Sequence, residues 1–285
     1  MTAKKIHIVG VPEHFNLPWR LLASSDLPAK LGVDVVWQEV REGTGAMLEM
    51  LRDGTADMAM LLTEGAVAGI GNGGGLEIVG EYVSSPLNWG IHTAAGGALT
   101  EESTLKGQRF AISRYGSGSH LMGALYADQY DWAGAPEYVV VDNLDGAREA
   151  LASGQAEIFL WEQFTTQPYV DNGEFQRVGV FPTPWPCFVA CRGQQSEHDA
   201  TLLQGLLKLA LDAAHLLRQR AALDTMIADA YDLDPAQVRE WLSLTRWSVD
   251  GAFDPQWVAI ASDALVNVGV LETMVPATLA LANNC

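Results

Sequence analysis

The sequence predicts an α/β fold in which two blocks of strands and helices precede a largely helical C-terminal region. Apolar runs of strand length alternate with helical patterns over residues 6–83, and the same alternation returns over residues 109–191. Residues 197–281 follow a helical pattern almost throughout. Alternation of strands with helices is typical of mostly parallel sheets covered by helices. A chain of 285 residues is long enough to form two such α/β blocks.

Each predicted element of the first block has a short apolar run or a helical spacing of its apolar residues. The strands are predicted at residues 6–11, 34–40, 58–62 and 76–83. The helices are predicted at residues 19–31, 45–52 and 64–70. The third helix leads into the glycine-rich segment GNGGG, which is typical of a loop.

The second block and the C-terminal region are predicted in the same way. The strands are expected at residues 109–113, 138–141, 158–161, 175–181 and 188–191. The helices are expected at residues 119–130, 144–153, 201–220, 221–231, from 234 onward and 255–267. Asp234 before Pro235 is a favourable start for the penultimate helix, because an aspartate caps the first turn and a proline suits its first position.

One segment of the first block has a counterpart in the second. The sequence LRDGTAD at residues 51–57 matches LASGQAE at residues 151–157 in its leucine, glycine, alanine and acid. Each segment follows a predicted helix and precedes a predicted strand, and the glycine suits the left-handed position that closes a helix. The match indicates an internal repeat. Chance similarity of a common helix–glycine–strand connection explains it equally well.

The charge of the chain excludes some classes of partner. The chain has 17 Lys and Arg against 35 Asp and Glu, a formal net charge of −18. A surface this acidic repels phosphate backbones and anionic membranes, so nucleic acid is not an expected partner. No stretch was found that reaches the length of a membrane span, so no membrane insertion is expected. Acidity of this kind favours solubility.

The N-terminal segment resembles an export signal only in part. Two lysines precede the apolar run at residues 6–11, but the run ends at Pro12 and Glu13. An export signal needs about 7–15 apolar residues, so this run is expected to be the first strand. A cytoplasmic location is expected if the chain is complete, and a periplasmic one if an export signal has been removed.

Three cysteines, Cys187, Cys191 and Cys285, do not suggest a metal site. On a strand, Cys187 and Cys191 share a face but are ~13 Å apart, too far to ligate one ion. Buried packing is the expected role of these two thiols. No metal and no cofactor are expected.

The strongest local signal is the segment SRYGSGSH at residues 113–120. It follows a predicted strand and opens a predicted helix, where free N–H groups and a partial positive charge favour a polar or anionic ligand. The candidate ligand-binding residues are Arg114, Ser117, Gly118, Ser119 and His120. Ordinary helix capping by serine is the alternative. The segment is not a P-loop, because it lacks the Gly-Lys-Ser/Thr ending.

Other candidates follow the ends of predicted strands, where ligands bind in open α/β sheets. They are Thr44, Thr63 and Glu64 in the first block, and Trp161 and Glu162 in the second. Two glutamates could form an acid/base pair, but no nucleophile or metal cluster accompanies them, so no catalytic residue is expected. Binding a ligand or capping a helix is the preferred role of each glutamate.

Aromatic residues in predicted loops complete the candidate set. His14, Phe15 and Asn16 follow the first strand, and Trp89 and Trp185 lie in predicted crossings or loops. Such rings offer flat surfaces on which a ligand stacks, and packing in the core is the alternative for each tryptophan. The remaining tryptophans, apart from Trp19, are expected to pack in the core: Trp37, Trp132, Trp241, Trp247 and Trp257.

Four segments, with the internal match, resemble the type II periplasmic (solute) binding proteins. They are VGVPEHFNLPW, EGTGAMLEMLRDGTADMAM, LKGQRFAISRYGSGSH and PTPWPCFVA, spanning roughly residues 6–190. The likeness is to the branch with sulfonate, taurine and thiamine-pyrimidine-precursor binders. It implies two α/β lobes with mixed sheets, joined by a two-strand hinge: residues 1–93 with 190–285, and 94–189. The crossings are then expected near residues 91–97 and 188–192.

The resemblance implies that a small molecule binds in the cleft between the lobes. A flat heterocycle or a small anion is expected, such as a pyrimidine precursor or a sulfonate, with Thr63 and Glu64 facing Ser117, Ser119 and His120 across one cavity. The chain would then be a solute-binding or sensing protein with a transporter or signalling partner. The alternative is a cytosolic enzyme of thiamine-precursor metabolism, although the cysteines are sparser here than in those relatives.

Overall fold

The computed structural model describes residues 4–282, and these form two compact units. The first unit comprises the residues up to Pro86, Trp185–Asp263 and the residues from Thr273 on. The second unit comprises Leu87–Pro184 and Ala264–Glu272. The chain therefore passes between the units four times, the last two around the segment Ala264–Glu272.

Ten strands and eleven α-helices make up the described part of the chain. The strands are β1 Lys4–Gly10, β2 Val33–Glu39, β3 Met58–Leu62, β4 Leu76–Val83, β5 Asn88–Ala94, β6 Phe110–Ile112, β7 Tyr138–Val140, β8 Ile158–Glu162, β9 Phe175–Pro182 and β10 Phe188–Gly193. The helices are α1 Leu17–Ala23, α2 Thr44–Asp53, α3 Thr63–Gly71, α4 Gly118–Gln129, α5 Leu144–Ser153, α6 Gln167–Asp171, α7 Ala200–Arg218, α8 Leu223–Tyr231, α9 Pro235–Leu244, α10 Gln256–Asn267 and α11 Ala277–Ala280.

Each unit contains one mixed sheet of five strands, and the two sheets have the same plan. The order is β2-β1-β3-β10-β4 in the first unit and β7-β6-β8-β5-β9 in the second. In each, three parallel strands are followed by one antiparallel strand that comes from a distant part of the chain. The predicted α/β class with mixed sheets flanked by helices is thus confirmed.

Long apolar runs account for the central strands. Met58 and Leu61 of β3 and Phe159 and Leu160 of β8 are fully buried. A strand covered on both faces by helices must be apolar at consecutive positions, because neither face meets water. This explains why β3 and β8 lack the alternation of polar and apolar residues that a half-exposed strand has.

The internal match in the sequence corresponds to equivalent turns in the two units. Gly54 ends α2 with a φ of 79°, and Gly154 ends α5 with a φ of 70°. Residues with a side chain rarely adopt this left-handed conformation, so glycine closes both helices.

The acid of each matching segment lies directly before β3 or β8 and bonds to the backbone in or next to the neighbouring parallel strand. The backbone N–H of His7 donates to the Asp57 carboxylate at 2.9 Å, and that of Arg109 donates to the Glu157 carboxylate at 3.0 Å. In return, the Asp57 backbone N–H donates to the His7 carbonyl, and that of Glu157 donates to the Arg109 carbonyl. The glycine and the acid therefore have the same structural roles in both segments. This favours an internal repeat over a chance match.

Helix α7 is the one helix of the described chain that is long and apolar enough to cross a membrane by length and composition. It is amphipathic, because Leu203 and Leu207 are buried while Lys208 and Asp212 form an ion pair at its exposed side. It packs against α1 and β4, so it serves as a core helix of the first unit.

The predicted helix at residues 19–31 is wrong in its extent. Helix α1 ends at Ala23, and a separate 3₁₀ turn covers Pro28–Leu31. The Ser24 and Ser25 hydroxyls donate to carbonyls of the last turn of α1, which gives those carbonyls partners outside the helix. Pro28 has no N–H with which to continue the helix, so the chain turns here.

The passages between the units lie a few residues outside the predicted crossings. They fall after Pro86 and after Pro184, whereas the sequence placed them near residues 91–97 and 188–192. Residues 91–94 lie in β5 and residues 188–192 lie in β10, and each of these strands pairs on both sides within its own sheet. The pattern of apolar residues alone did not predict β5, although the resemblance implied a hinge strand near residues 91–97.

Candidate functional site

The first unit presents its loops at the carboxyl ends of parallel strands. Strands β1 and β3 are parallel neighbours, so the segments that follow them emerge at the same edge of the sheet. Residues 11–16 follow β1, and Thr63 opens α3 directly after β3. This edge is where open α/β sheets bind ligands.

Thr63 connects the start of α3 to the segment before β10. Its hydroxyl donates to the Pro186 carbonyl at 2.5 Å, and its backbone N–H donates to the Cys187 carbonyl at 3.1 Å. Thr63 is fully buried, and both of its donors are used within the protein. It therefore positions residues 185–187 beside the helix start.

Glu64 is a buried carboxyl group with one oxygen unpaired. Its side chain is 3% exposed, and Oε2 accepts a hydrogen bond from the Trp185 indole at 2.7 Å. Oε1 is buried and has no partner among the described residues. Burial raises the pKa of Glu64 from its ordinary 4.5 to about 7, although hydrogen bonds from its own backbone N–H and from the Trp185 indole oppose this shift. Near neutral pH the group can therefore either donate or accept a hydrogen bond.

The starts of α2 and α3 lie close together. A Cβ on Gly65 would stand 2.6 Å from the Thr44 methyl carbon, closer than a van der Waals contact allows. Glycine at position 65 therefore permits this approach. Thr44 is half-buried and occupies the first position of α2 after Gly43, whose φ is 76°. The starts of two helices, with the partial positive charge of their N-terminal ends, thus lie near Glu64.

The loop after β1 contains two residues that pack against aromatic rings and one polar side chain with an unpaired oxygen. His14 lies 4.1 Å from the Trp241 ring, and Phe15 contacts Trp241 and Phe188. Burial lowers the pKa of His14 to about 3, so it is neutral at physiological pH. Asn16 donates to the Val11 carbonyl at 2.8 Å, but its side-chain oxygen has no partner among residues 4–282.

In the second unit, the predicted serines bond mainly to one another. The Ser117 hydroxyl accepts from the His120 backbone N–H at 3.3 Å and lies 3.0 Å from the Ser119 hydroxyl. The Ser119 hydroxyl accepts from the Ser113 backbone N–H at 3.0 Å. Ser113 was absent from the predicted set, because the sequence placed it in a strand over residues 109–113, whereas β6 ends at Ile112. The hydroxyls thus cap the start of α4, which is the alternative left open above.

His120 accepts a hydrogen bond from the same loop. Its Nδ1 accepts from the Gly116 backbone N–H at 3.2 Å, so the proton of the neutral ring is on Nε2. Burial lowers the pKa of His120. The ring packs edge-on against Tyr138 at 4.7 Å. Arg114 of the same loop is exposed.

Trp89 packs against the start of α4. A Cβ on Gly118 would stand 2.5 Å from the Trp89 ring, so the ring occupies the space that a side chain would take. Trp161 meets Trp89 edge-to-face at 6.4 Å. The Trp89 indole N–H is buried and unpaired within the described part of the chain. The two rings and the free donor form an aromatic surface beside α4.

Glu162 is committed to its own turn. One carboxylate oxygen accepts from the Phe164 N–H at 3.0 Å and from the Thr165 N–H and hydroxyl at 2.7 and 2.8 Å. Burial raises its pKa, while these hydrogen bonds oppose the rise. Glu162 therefore stabilises the turn before α6 and differs from Glu64, which keeps an oxygen free.

Two unpaired oxygens mark one edge of the first sheet. Asn16 Oδ1 and Glu64 Oε1 are the only buried amide or carboxyl oxygens without a partner in the range 4–282. They follow the parallel neighbours β1 and β3. Within the same range, no group of three or more His, Cys, Asp or Glu could hold a metal ion. Chemically, this edge can accept hydrogen bonds from N–H or O–H donors of a ligand.

The comparisons with known proteins agree with this architecture. Residues 89–181 match the model of the family described as Ca3427-like periplasmic binding proteins. The Candida albicans CA3427 gene product, described as having the generic periplasmic binding protein fold, superposes with a TM-score of 0.85 at 23% identity, covering 96% of this chain and 93% of that one. A search of curated proteins found no match.

Two sulfonate-binding proteins also have this fold. The alkanesulfonate-binding protein SsuA from Xanthomonas axonopodis pv. citri, bound to MOPS, has a TM-score of 0.78 at 18% identity over 99% of both chains. SsuA from Escherichia coli has a TM-score of 0.76 at 16% identity, over 98% of this chain and 92% of that one. The chain therefore has the fold of type II periplasmic binding proteins, as the resemblance in the sequence implied.

Proposed function

We propose that the chain is a solute-binding protein whose ligand is a small, flat heterocycle bearing N–H donors. In this proposal the ligand contacts Glu64 and Asn16 in the first unit. Glu64 Oε1 carries the proposal, because a buried unpaired carboxyl oxygen costs about 1–3 kcal/mol unless a ligand satisfies it.

The chemistry of Glu64 favours a heterocycle over an anion. A carboxylate repels a sulfonate but accepts hydrogen bonds from ring or exocyclic N–H groups. The Trp185 indole, fixed at 2.7 Å from the other Glu64 oxygen, adds an aromatic ring beside the same site. A small anion is the second candidate, supported by the nearby starts of α2 and α3 and by the sulfonate-binding proteins of the same fold.

Titration calorimetry on the full chain distinguishes the two ligands. One arm uses 4-amino-2-methylpyrimidine, and the other uses ethanesulfonate. We expect the pyrimidine to bind and Glu64→Gln to weaken its binding about tenfold or more, since one charge-assisted contact is lost. Glu64→Gln should leave ethanesulfonate binding unchanged or strengthen it.

Glu49→Gln is the matched control, because Glu49 is an exposed glutamate of α2 in the same unit. It should leave pyrimidine binding unchanged. If the two variants weaken binding equally, Glu64 is not a ligand contact. Binding of ethanesulfonate alone would support the anion instead, and absence of heat with both probes would contradict the proposed ligand classes.

A further inference from the structure

The second unit contains a cavity apart from the aromatic surface at Trp89. Its volume is about 250 Å³, which suits a molecule smaller than a typical drug. The cavity lies along one side of α4, where residues 120, 124, 127 and 128 are on successive turns. The residues that define its chemistry are His120, Asp128, Trp132, Tyr138, Asn267 and Val268.

Aromatic rings form much of the wall. Trp132 packs against Phe110 at 5.3 Å, and Tyr138 meets His120 edge-on at 4.7 Å. Both Trp132 and Tyr138 remain half-buried, so part of each ring is available to the cavity. The faces of such rings carry partial negative charge and attract cations.

The lining of the cavity carries a negative charge and no positive one. Asp128 is its only lining residue with a formal charge, and no lysine or arginine lines it. Asn267, the last residue of α10, and Val268 also line it. The C-terminal end of a helix carries partial negative charge from its aligned peptide dipoles. A carboxylate, a helix C-terminus and aromatic rings all favour a positive ligand.

We infer that this cavity binds a small organic cation of the ammonium class. The ammonium group would lie against the Trp132 and Tyr138 rings, with Asp128 supplying the counter-charge. An anion is disfavoured, because the lining offers no cation to pair with it. The inference does not depend on the proposed function, since Glu64 and Asn16 belong to the other unit.

Choline and its uncharged carbon isostere 3,3-dimethyl-1-butanol test the inference on the full chain. We expect choline to shift the Trp132 indole signal in ¹H–¹⁵N NMR spectra, with that signal identified by its loss in Trp132→Phe. The alcohol should not shift it. Asp128→Asn should weaken choline binding about tenfold, the effect of losing one counter-charge at a partly enclosed site.

Asp131→Asn is the matched control, because Asp131 is a nearby exposed carboxylate that does not line the cavity. It should leave the choline affinity unchanged. Equal effects of the two aspartate variants, equal binding of the alcohol, or no shift at Trp132 would each overturn the inference. Circular dichroism melts of the variants establish that each is folded.

Discussion

At the scale of single residues, burial and hydrogen bonding distinguish two glutamates that resemble each other in sequence. Both follow the end of a parallel strand, yet Glu162 uses its buried oxygen on three donors of its own turn. Glu64 accepts a hydrogen bond from the indole of Trp185, which lies 121 residues away. The sequence places both glutamates at a candidate site, but the partner that distinguishes Glu64 comes from a distant part of the chain. The serines of the α4 start were ambiguous for a related reason, because their local bonds and a ligand compete for the same hydroxyls.

The raised pKa of Glu64 predicts a pH-dependent effect of Glu64→Gln. The unfolded carboxyl ionises near 4.5 and the folded one near 7, so the wild type loses stability as the pH rises through this window. Glutamine cannot ionise. We expect the variant to gain roughly 1–3 kcal/mol over the wild type between pH 4.5 and pH 8, as the shift implies.

Urea denaturation at pH 4.5 and pH 8 measures this gain as the change in the stability difference between the two proteins. Glu49→Gln, at the exposed position on α2, should show no such change. A Glu64→Gln difference that is the same at both pH values would contradict the shifted pKa.

At the scale of helices and strands, the sequence predicted those features that depend on neighbouring residues alone. The Asp234-Pro235 pair marks the start of α9, and the Asp234 carboxylate caps it by accepting from the Ala236 N–H. The apolar pattern did not reveal β5, because its partners, β8 and β9, lie far along the chain. Gly90 serves packing, since a Cβ there would stand 2.5 Å from the His92 ring. Pairing between distant segments leaves no periodic signal in either of them.

The contact between α2 and α3 predicts that substitutions at two positions are coupled. Gly65→Ala places a methyl 2.6 Å from the Thr44 methyl carbon, so Thr44 must leave its rotamer or the helices must separate. We expect a loss of about 1–3 kcal/mol from this overpacking. In a Thr44→Ser background the obstructing methyl is absent, and Gly65→Ala should then be neutral or stabilising, because alanine favours helix.

Urea denaturation of the four proteins of this double-mutant cycle gives the coupling energy. Circular dichroism confirms that the serine variant alone keeps its helix content. Equal effects of Gly65→Ala in both backgrounds would mean that the two helix starts do not meet at this point.

At the scale of the whole molecule, the repeated order of strands could be predicted from the sequence, because the same local patterns occur twice in it. Two central strands, the helices that glycine closes and the acids that bond to the neighbouring backbone recur about a hundred residues apart. The exact positions at which the chain passes between the units could not be predicted, since they depend on the sheet in which β5 and β10 pair. The site was predicted as a set of loops, and its unpaired oxygens emerged only with the packing around them.

The net charge of −18 predicts a salt-dependent stability of the whole chain. Self-repulsion destabilises the compact state and is screened by salt, with a Debye length of about 30 Å at 0.01 M and about 10 Å at 0.1 M. We expect the melting temperature to rise between 10 and 200 mM sodium chloride, by roughly a few degrees for a chain of this size.

Sucrose at matched osmolarity is the control for effects other than charge screening. A chloride salt is preferred to sulfate, because sulfate strengthens apolar burial by itself. A melting temperature that stays constant or falls with sodium chloride would show that repulsion between carboxylates does not limit stability.

The short segment Ala264–Glu272 affects how the protein can be dissected. It belongs to the second unit although it follows most of the first in the chain, and its Leu265 and Leu271 are buried. A fragment cut at Leu87 and Pro184 would leave behind those two leucines and part of the wall at Asn267. A fragment that is meant to contain the whole second unit therefore needs residues 264–272 fused to residues 87–184. Limited proteolysis between Pro184 and Ala264 should likewise leave the two pieces associated rather than release a free fragment.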